Sequence, residues 1–167
     1  MEQHCDVLVV GARHAGCEAA LAAARMGCQV VVLTASLSNI ARMPCNPSIG
    51  GPAKAHLVKE VDALGGVMGR AIDDTHIHIR MLNTSKGPAV QALRAQADRP
   101  RYSQRVAQEL LAHPRVQVIQ DLVAELWVES GEVRGVLGTS GRRYASGASV
   151  LTTGTFLGGQ IHMGETS

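Results

Sequence analysis

The chain opens with an apolar run, Asp6-Val-Leu-Val-Val10, that passes straight into Gly11-Ala-Arg-His-Ala-Gly16 and then into the alanine-rich segment Cys17-Glu-Ala-Ala-Leu-Ala-Ala-Ala-Arg-Met26. A strand that ends in a glycine turn and starts a helix is the first half of a dinucleotide-type βαβ unit. Residues 5–10 are therefore expected as a buried parallel strand, 15–26 as a helix stopped by Gly27, and 29–33 as the second strand. The N-terminus of such a helix offers backbone N–H groups and a partial positive charge to a phosphate. Gly11 and Gly16 occupy the first and last glycine positions of the turn, but Arg13 stands at the middle one, where the backbone normally comes close to a pyrophosphate. Two outcomes are open for Arg13: its guanidinium turns outward and pairs with phosphate, or it blocks the turn. No acid closes the second strand, where a ribose hydroxyl is usually read; Thr34 and Ser36 stand there.

The 167 residues suffice for one domain with a core, and 46% apolar content excludes a disordered chain. Aromatic residues at 2% leave few stacking platforms for single-stranded nucleic acid, and a net charge of +2 neither requires nor excludes a nucleic-acid partner. No apolar run reaches the roughly 20 residues of a membrane span. A core strand begins so early that no room remains for a signal peptide, so a cytoplasmic location is expected. Cys5, Cys17, Cys28 and Cys45 form no C-x-x-C pair, which argues against a zinc or thioredoxin-like site. His76 and His78 alternate on one strand face without a third ligand at suitable spacing, and no metal is expected.

Residues 36–53 carry Pro44, Pro47, Pro52, Gly50 and Gly51 and read as loop and turns. Helices are expected at 54–64, within 86–97 after Lys86-Gly-Pro88, and at 101–112. Strands are expected at 75–82 and 116–120. Residues 122–129, 132–138 and 142–146 read as an antiparallel meander turned at Ser130-Gly131 and Ser140-Gly141, and 149–153 as a further buried strand entering Gly154. The fold class is thus α/β: a Rossmann-like parallel sheet with an antiparallel β-meander. The chain stops at Ser167 in a Gly-rich stretch with no closing element, so an incomplete domain is expected.

Arg42-Met-Pro-Cys45-Asn-Pro-Ser-Ile-Gly-Gly51, Leu82-Asn-Thr-Ser-Lys-Gly-Pro-Ala-Val90, Arg94-Ala-Gln-Ala-Asp-Arg99 and Leu151-Thr-Thr-Gly-Thr-Phe-Leu157, together with His14-Ala-Gly-Cys-Glu-Ala-Ala20, closely resemble the GidA/MnmG family of tRNA uridine 5-carboxymethylaminomethyl modification enzymes. The resemblance runs in order along essentially the whole chain. It implies the N-terminal part of an FAD-binding domain of the glutathione-reductase type, over residues 1–167, without the NADH-binding insertion and the C-terminal helical domain. It implies FAD as cofactor, NADH as reductant, tRNA as substrate at the wobble uridine (U34), an MnmE-type GTPase as partner, and a homodimer in the full-length form. The family's turn reads Gly-Gly-Gly-His-Ala-Gly, so Ala12 and Arg13 replace two adjacent glycines here. The cofactor residues expected are Gly11, Ala12, Arg13, His14, Ala15, Gly16, Thr34, Val123 and Gly154, with Val123 matching a position that contacts FAD through its main chain in the family.

The resemblance also singles out Cys45, where the family carries a cysteine implicated in catalysis. A thiolate in this Pro/Gly-rich loop would add to a uracil ring carbon or assist a proton transfer. Cys17 and Cys28 read as small apolar fillers and Cys5 as inert. Lys86, Arg94, Arg99, Arg101 and Arg105 read as a basic stretch on helical sequence, either a solvated face or a set of RNA phosphate contacts. The fragment alone is expected to carry no tRNA-modifying turnover. The competing readings are a general FAD/NAD(P)H-dependent oxidoreductase and a degenerate Rossmann remnant without cofactor.

Overall fold

A computed structural model describes residues 2–157 and 164. The Gly-rich stretch at the end of the chain lies, apart from residue 164, outside the described residues. Nine strands and four helices are described: β1 (Glu2–Val10), α1 (His14–Arg25), β2 (Val30–Thr34), β3 (Ser48–Gly50), α2 (Lys54–Ala63), α3 (Met68–Thr75), β4 (His76–Leu82), β5 (Ala92–Ala97), α4 (Arg99–Ala112), β6 (Val116–Gln120), β7 (Val123–Glu129), β8 (Glu132–Gly138) and β9 (Arg143–Leu151).

The main sheet runs β6-β2-β1-β9-β8-β7. Its first four strands are mutually parallel, and β9-β8-β7 are antiparallel. The alternation of β1 sorts the core. Val9 packs with the helices through Cys17, Ala20, Leu21 and Val106. Leu8 and Val10 pack on the other face with Val31, Leu33, Val136 and Tyr144, beneath the meander. The small residues Cys17, Ala20 and Ala24 are the buried stripe of α1, which lets helix and sheet approach closely. A second, antiparallel sheet of order β3-β5-β4 packs beside α2 and α3.

Four expectations change. The stretch 36–53, expected as loop and turns, contains the short strand β3, which pairs antiparallel with β5. The helix expected within 86–97 is a single 3-10 turn at Pro88–Val90 followed by β5. Its Ala, Leu, Arg and Gln residues favour a helix in isolation, but pairing with β3 and β4 on both edges overrides that propensity and buries Ala92, Ala95 and Ala97. The strands expected at 142–146 and 149–153 are one continuous β9, which pairs antiparallel with β8 over its first residues and parallel with β1 over Glu2–Val10. That pairing also extends β1 back to Glu2. Finally, α3 lies in a stretch for which the sequence suggests no element. Its N-terminus is capped from outside: the Glu18 carboxylate on α1 accepts the backbone N–H of Val67 (3.0 Å) and of Met68 (2.7 Å). Among the described residues, no helix is long and apolar enough to cross a membrane.

Candidate functional site

The glycine turn joins β1 to α1 at the C-terminal edge of the parallel strands. The chain leaves β1 toward β2 on one side while β9 lies on the other, so the turn sits at a topological switch point, the place where open α/β sheets bind ligands. Gly11 has a φ of +103°, and a Cβ on it would lie 2.5 Å from the Thr152 carbonyl oxygen. A Cβ on Gly16 would lie 1.8 Å from the Gly11 carbonyl oxygen. These two glycines are therefore required by the fold itself. Arg13 differs: its φ of −82° and ψ of −165° are extended backbone open to any residue. The arginine does not strain the turn; what it alters is the surface offered to a ligand. Arg13 is the N-cap of α1 without a side-chain capping bond, and the first turn of the helix carries no acidic residue.

A cleft of about 260 Å³ opens beside this turn. It is lined by the ends of β1, β2 and β9 and by the start of β7, and it brings together Gly11, Ala12, Arg13, Thr34 and Val123 of the residues expected from sequence. Ala12 is 2% exposed and its carbonyl accepts the Ala41 N–H (2.8 Å), so it meets the cleft at its edge. The Thr34 hydroxyl donates to the Ser36 carbonyl (3.0 Å), which occupies it locally at the position of the usual ribose reader.

The other expected residues lie elsewhere. Gly16 is buried under Gly11, and Ala15 is exposed on the first turn of α1. The His14 ring packs edge-on against Tyr102 of α4, with centroids 5.7 Å apart. Its Nδ1 is buried without a hydrogen-bond partner among the described residues, and burial, then the Arg13 charge, hold the imidazole below its ordinary pKa, in the neutral form. Gly154 lies in a 3-10 turn at Gly154–Phe156, two residues beyond Thr152. Cys45 is exposed on the loop before β3, and the Arg99 guanidinium donates to its carbonyl (2.8 Å). The remaining cysteines follow burial: the Cys17 thiol is pushed up to about 12 by desolvation and donates to the Ala12 carbonyl, and burial also raises Cys5.

Sequence reading missed Asp121, Thr152 and Thr153, which also line the cleft. The Thr152 hydroxyl donates to the Val10 carbonyl (2.8 Å) and ties the end of β9 to the turn. Asp121 accepts from the Ser140 and Tyr144 hydroxyls. Partial burial raises its pKa, but these bonds, with those from the Ser140 N–H and Thr139, outweigh it and hold the carboxyl below its ordinary value. The only sequence signal was an acid directly after β6, and nothing local marked its partners.

The basic residues do not form one helical face. Lys86 is in the β4–β5 connection, Arg94 is on β5, and Arg99, Arg101 and Arg105 are on α4. Arg105 is neutralised by Asp74 and Glu109. His76 Nδ1 lies 2.9 Å from the Asp73 carbonyl at the end of α3, and a register shift separates it from His78. Among the described residues no three His, Cys, Asp or Glu side chains are grouped to hold a metal.

The family model for glucose inhibited division protein A matches residues 6–167. The chain belongs to that family. It is 56% identical to the tRNA uridine 5-carboxymethylaminomethyl modification enzyme MnmG of Bacillus subtilis (strain 168) over 162 residues, 97% of this chain and 26% of the relative. The MnmG of Bacillus thuringiensis (strain Al Hakam) is 56% identical over 96% of this chain and 25% of its own length. This family member thus spans about a quarter of the length of the curated relatives it matches. The crystal structure of Aquifex aeolicus GidA superposes with a TM-score of 0.87 at 46% identity, covering 92% of this chain and 26% of that one. PqsL, a probable FAD-dependent monooxygenase from Pseudomonas aeruginosa, shares the fold with a TM-score of 0.65 at 16% identity, over 96% of this chain and 47% of its own. The Rossmann-like fold class read from the sequence is the one observed.

Proposed function

We propose that this chain is the N-terminal part of the FAD-binding domain of a tRNA wobble-uridine-modifying enzyme. The observation that carries the reading is the cleft at the switch point, formed by the glycine turn, Thr34 and Val123, in a chain 56% identical to proteins named MnmG. The residues suit a phosphate-bearing dinucleotide. Gly11 and Gly16 keep the turn tight, α1 points an N-terminus without acid or side-chain cap toward it, and the Arg13 guanidinium supplies a cation matched to phosphate. The backbone around Gly11–Gly16 would hold the pyrophosphate, Thr34 would border the ribose, and Val123 would meet the cofactor through its main chain. FAD, when bound, supplies two-electron redox chemistry.

In this reading Cys45 acts on the uracil ring as nucleophile or acid/base group, and the Arg99 bond to its carbonyl positions the loop. NADH as reductant, an MnmE-type GTPase partner, a homodimer and a cytoplasmic location belong to the full-length enzyme in this proposal, and the present chain alone has no tRNA-modifying turnover. The test is the visible flavin spectrum of the purified chain mixed with FAD, beside Arg13→Gly. Both proteins are expected to bind, the glycine variant with affinity equal or higher. Binding by Arg13→Gly alone would show that the arginine closes the site in this copy. Binding by neither would remove the cofactor assignment for this chain.

A further inference from the structure

The three-stranded sheet presents a second concavity, away from the glycine turn. Ser48, Gln96 and His78 lie side by side across β3, β5 and β4. Two residues along, Arg94 on β5 stands directly opposite Arg80 on β4. With Asn46 and Pro47 they line a hollow of about 520 Å³ that contains no acidic residue. The opposite face of the same strands, carrying Ile49, Ile79, Leu93 and Ala95, borders α2 and α3, which pack against β3 and β5.

Like charges directly opposite on neighbouring strands destabilise a sheet. Elsewhere this protein pairs such arginines with acids: Arg70 and Arg105 with Glu109, Arg105 with Asp74, Arg134 with Glu132. Among the described residues Arg80 and Arg94 form no salt bridge. Arg94 instead donates from Nη2 to the Ser48 Oγ (3.1 Å), which leaves the serine proton to be donated to another acceptor. An anion between the two guanidinium groups converts their repulsion into two attractions. The planar fork of each matches the oxygens of an oxyanion. Ser48, Asn46 and Gln96 add neutral donors around it. Two forks, a hydroxyl and two amides surround more space than the planar pair of oxygens in a carboxylate fills, whereas a tetrahedral phosphate turns its oxygens, the weakly accepting ester oxygens of a diester included, toward donors on several sides.

We propose that this hollow is a phosphate-binding site in which Arg80 and Arg94 clamp the anion and Ser48 and Gln96 complete its donors. The site does not depend on the flavin reading. Because Asn46, Pro47 and Ser48 directly follow Cys45, a phosphate held here lies beside the loop of that thiol. Its source is either a small phosphate compound or a phosphodiester of RNA.

The test is NMR of the arginine Nε–Hε groups of the 167-residue chain during titration with inorganic phosphate at constant ionic strength. Saturable shifts of Arg80 and Arg94 are expected, with affinity reduced at least about tenfold in Arg80→Gln and changed less than about twofold in Arg101→Gln. Arg80 is exposed, so its variant should retain the parent backbone spectrum, and Arg80→Lys, which keeps the charge but loses the fork, should be intermediate. Unsaturable drift, or equal loss in Arg101→Gln, overturns the site, and acetate binding as tightly as phosphate overturns the phosphate assignment. A short RNA that displaces phosphate identifies the phosphodiester as source; failure to displace it, with phosphate still bound, identifies the small compound.

Discussion

Gly16 and Arg13 stand three residues apart in one turn and answer to different constraints. At Gly16 the neighbour is backbone, the Gly11 carbonyl, which cannot move aside without breaking the β1–α1 connection. Gly16→Ala is expected to destabilise by about 3 kcal/mol or more, read as a lower urea midpoint with an unchanged slope. Arg13→Gly relieves no strain, since the position is already extended, and should leave that midpoint nearly unchanged. Asp121 gives a pH signature. Its carboxyl is held below the ordinary value, so it binds fewer protons folded than unfolded. Its contribution is present above the unfolded pKa and disappears as the pH falls through the lower, folded one. The parent should exceed Asp121→Asn in stability at pH 7, and the difference should shrink through the acid range below about pH 4. Urea denaturation of both proteins at pH 7 and pH 3 checks it; a difference that grows toward acid would reverse the assignment.

At the scale of elements, α3 is held by a residue of another helix. Glu18 lies on α1, yet its carboxylate receives two backbone N–H groups at the start of α3, in the role a local N-cap normally fills. Glu18→Ala is expected to cost about 1–2 kcal/mol and to raise hydrogen exchange in α3 before the parallel strands. Uniform protection loss across the chain would instead mean that Glu18 supports the whole core. The same tertiary logic decided β5. Its residues have helical propensity, and only the edges of β3 and β4 make the extended form the better one.

At the scale of the molecule, β1 and β9 weld two packing layers together. Leu8 is fully buried on the meander side and Val9 on the helix side of one strand. Leu8→Ala should therefore cost about 3 kcal/mol and lower one shared unfolding transition. Separate transitions for the meander, followed by Trp127 fluorescence, and for the helices, followed by circular dichroism, would show that the two layers are not cooperative.

The chain's own order of residues determined the βαβ start, because strand, glycine turn and helix are contiguous and their physics is local: apolar run, positive φ, unsatisfied helix N-terminus. It also indicated the meander, through turn dipeptides at Ser130-Gly131 and Ser140-Gly141, and it located part of the cleft, since Gly11, Arg13 and Thr34 belong to that local unit. What only the tertiary structure decided involves partners distant in sequence. β5 is a strand because of two neighbours, β9 is one strand because β1 runs alongside it, and α3 starts where Glu18 reaches it. Asp121 and Thr152 enter the cleft just past the ends of β6 and β9, far along the chain from the turn, and Arg80 faces Arg94 only because β4 and β5 fold back on one another in that register. Periodicity carries information about a segment's own faces; which face meets which is settled by packing.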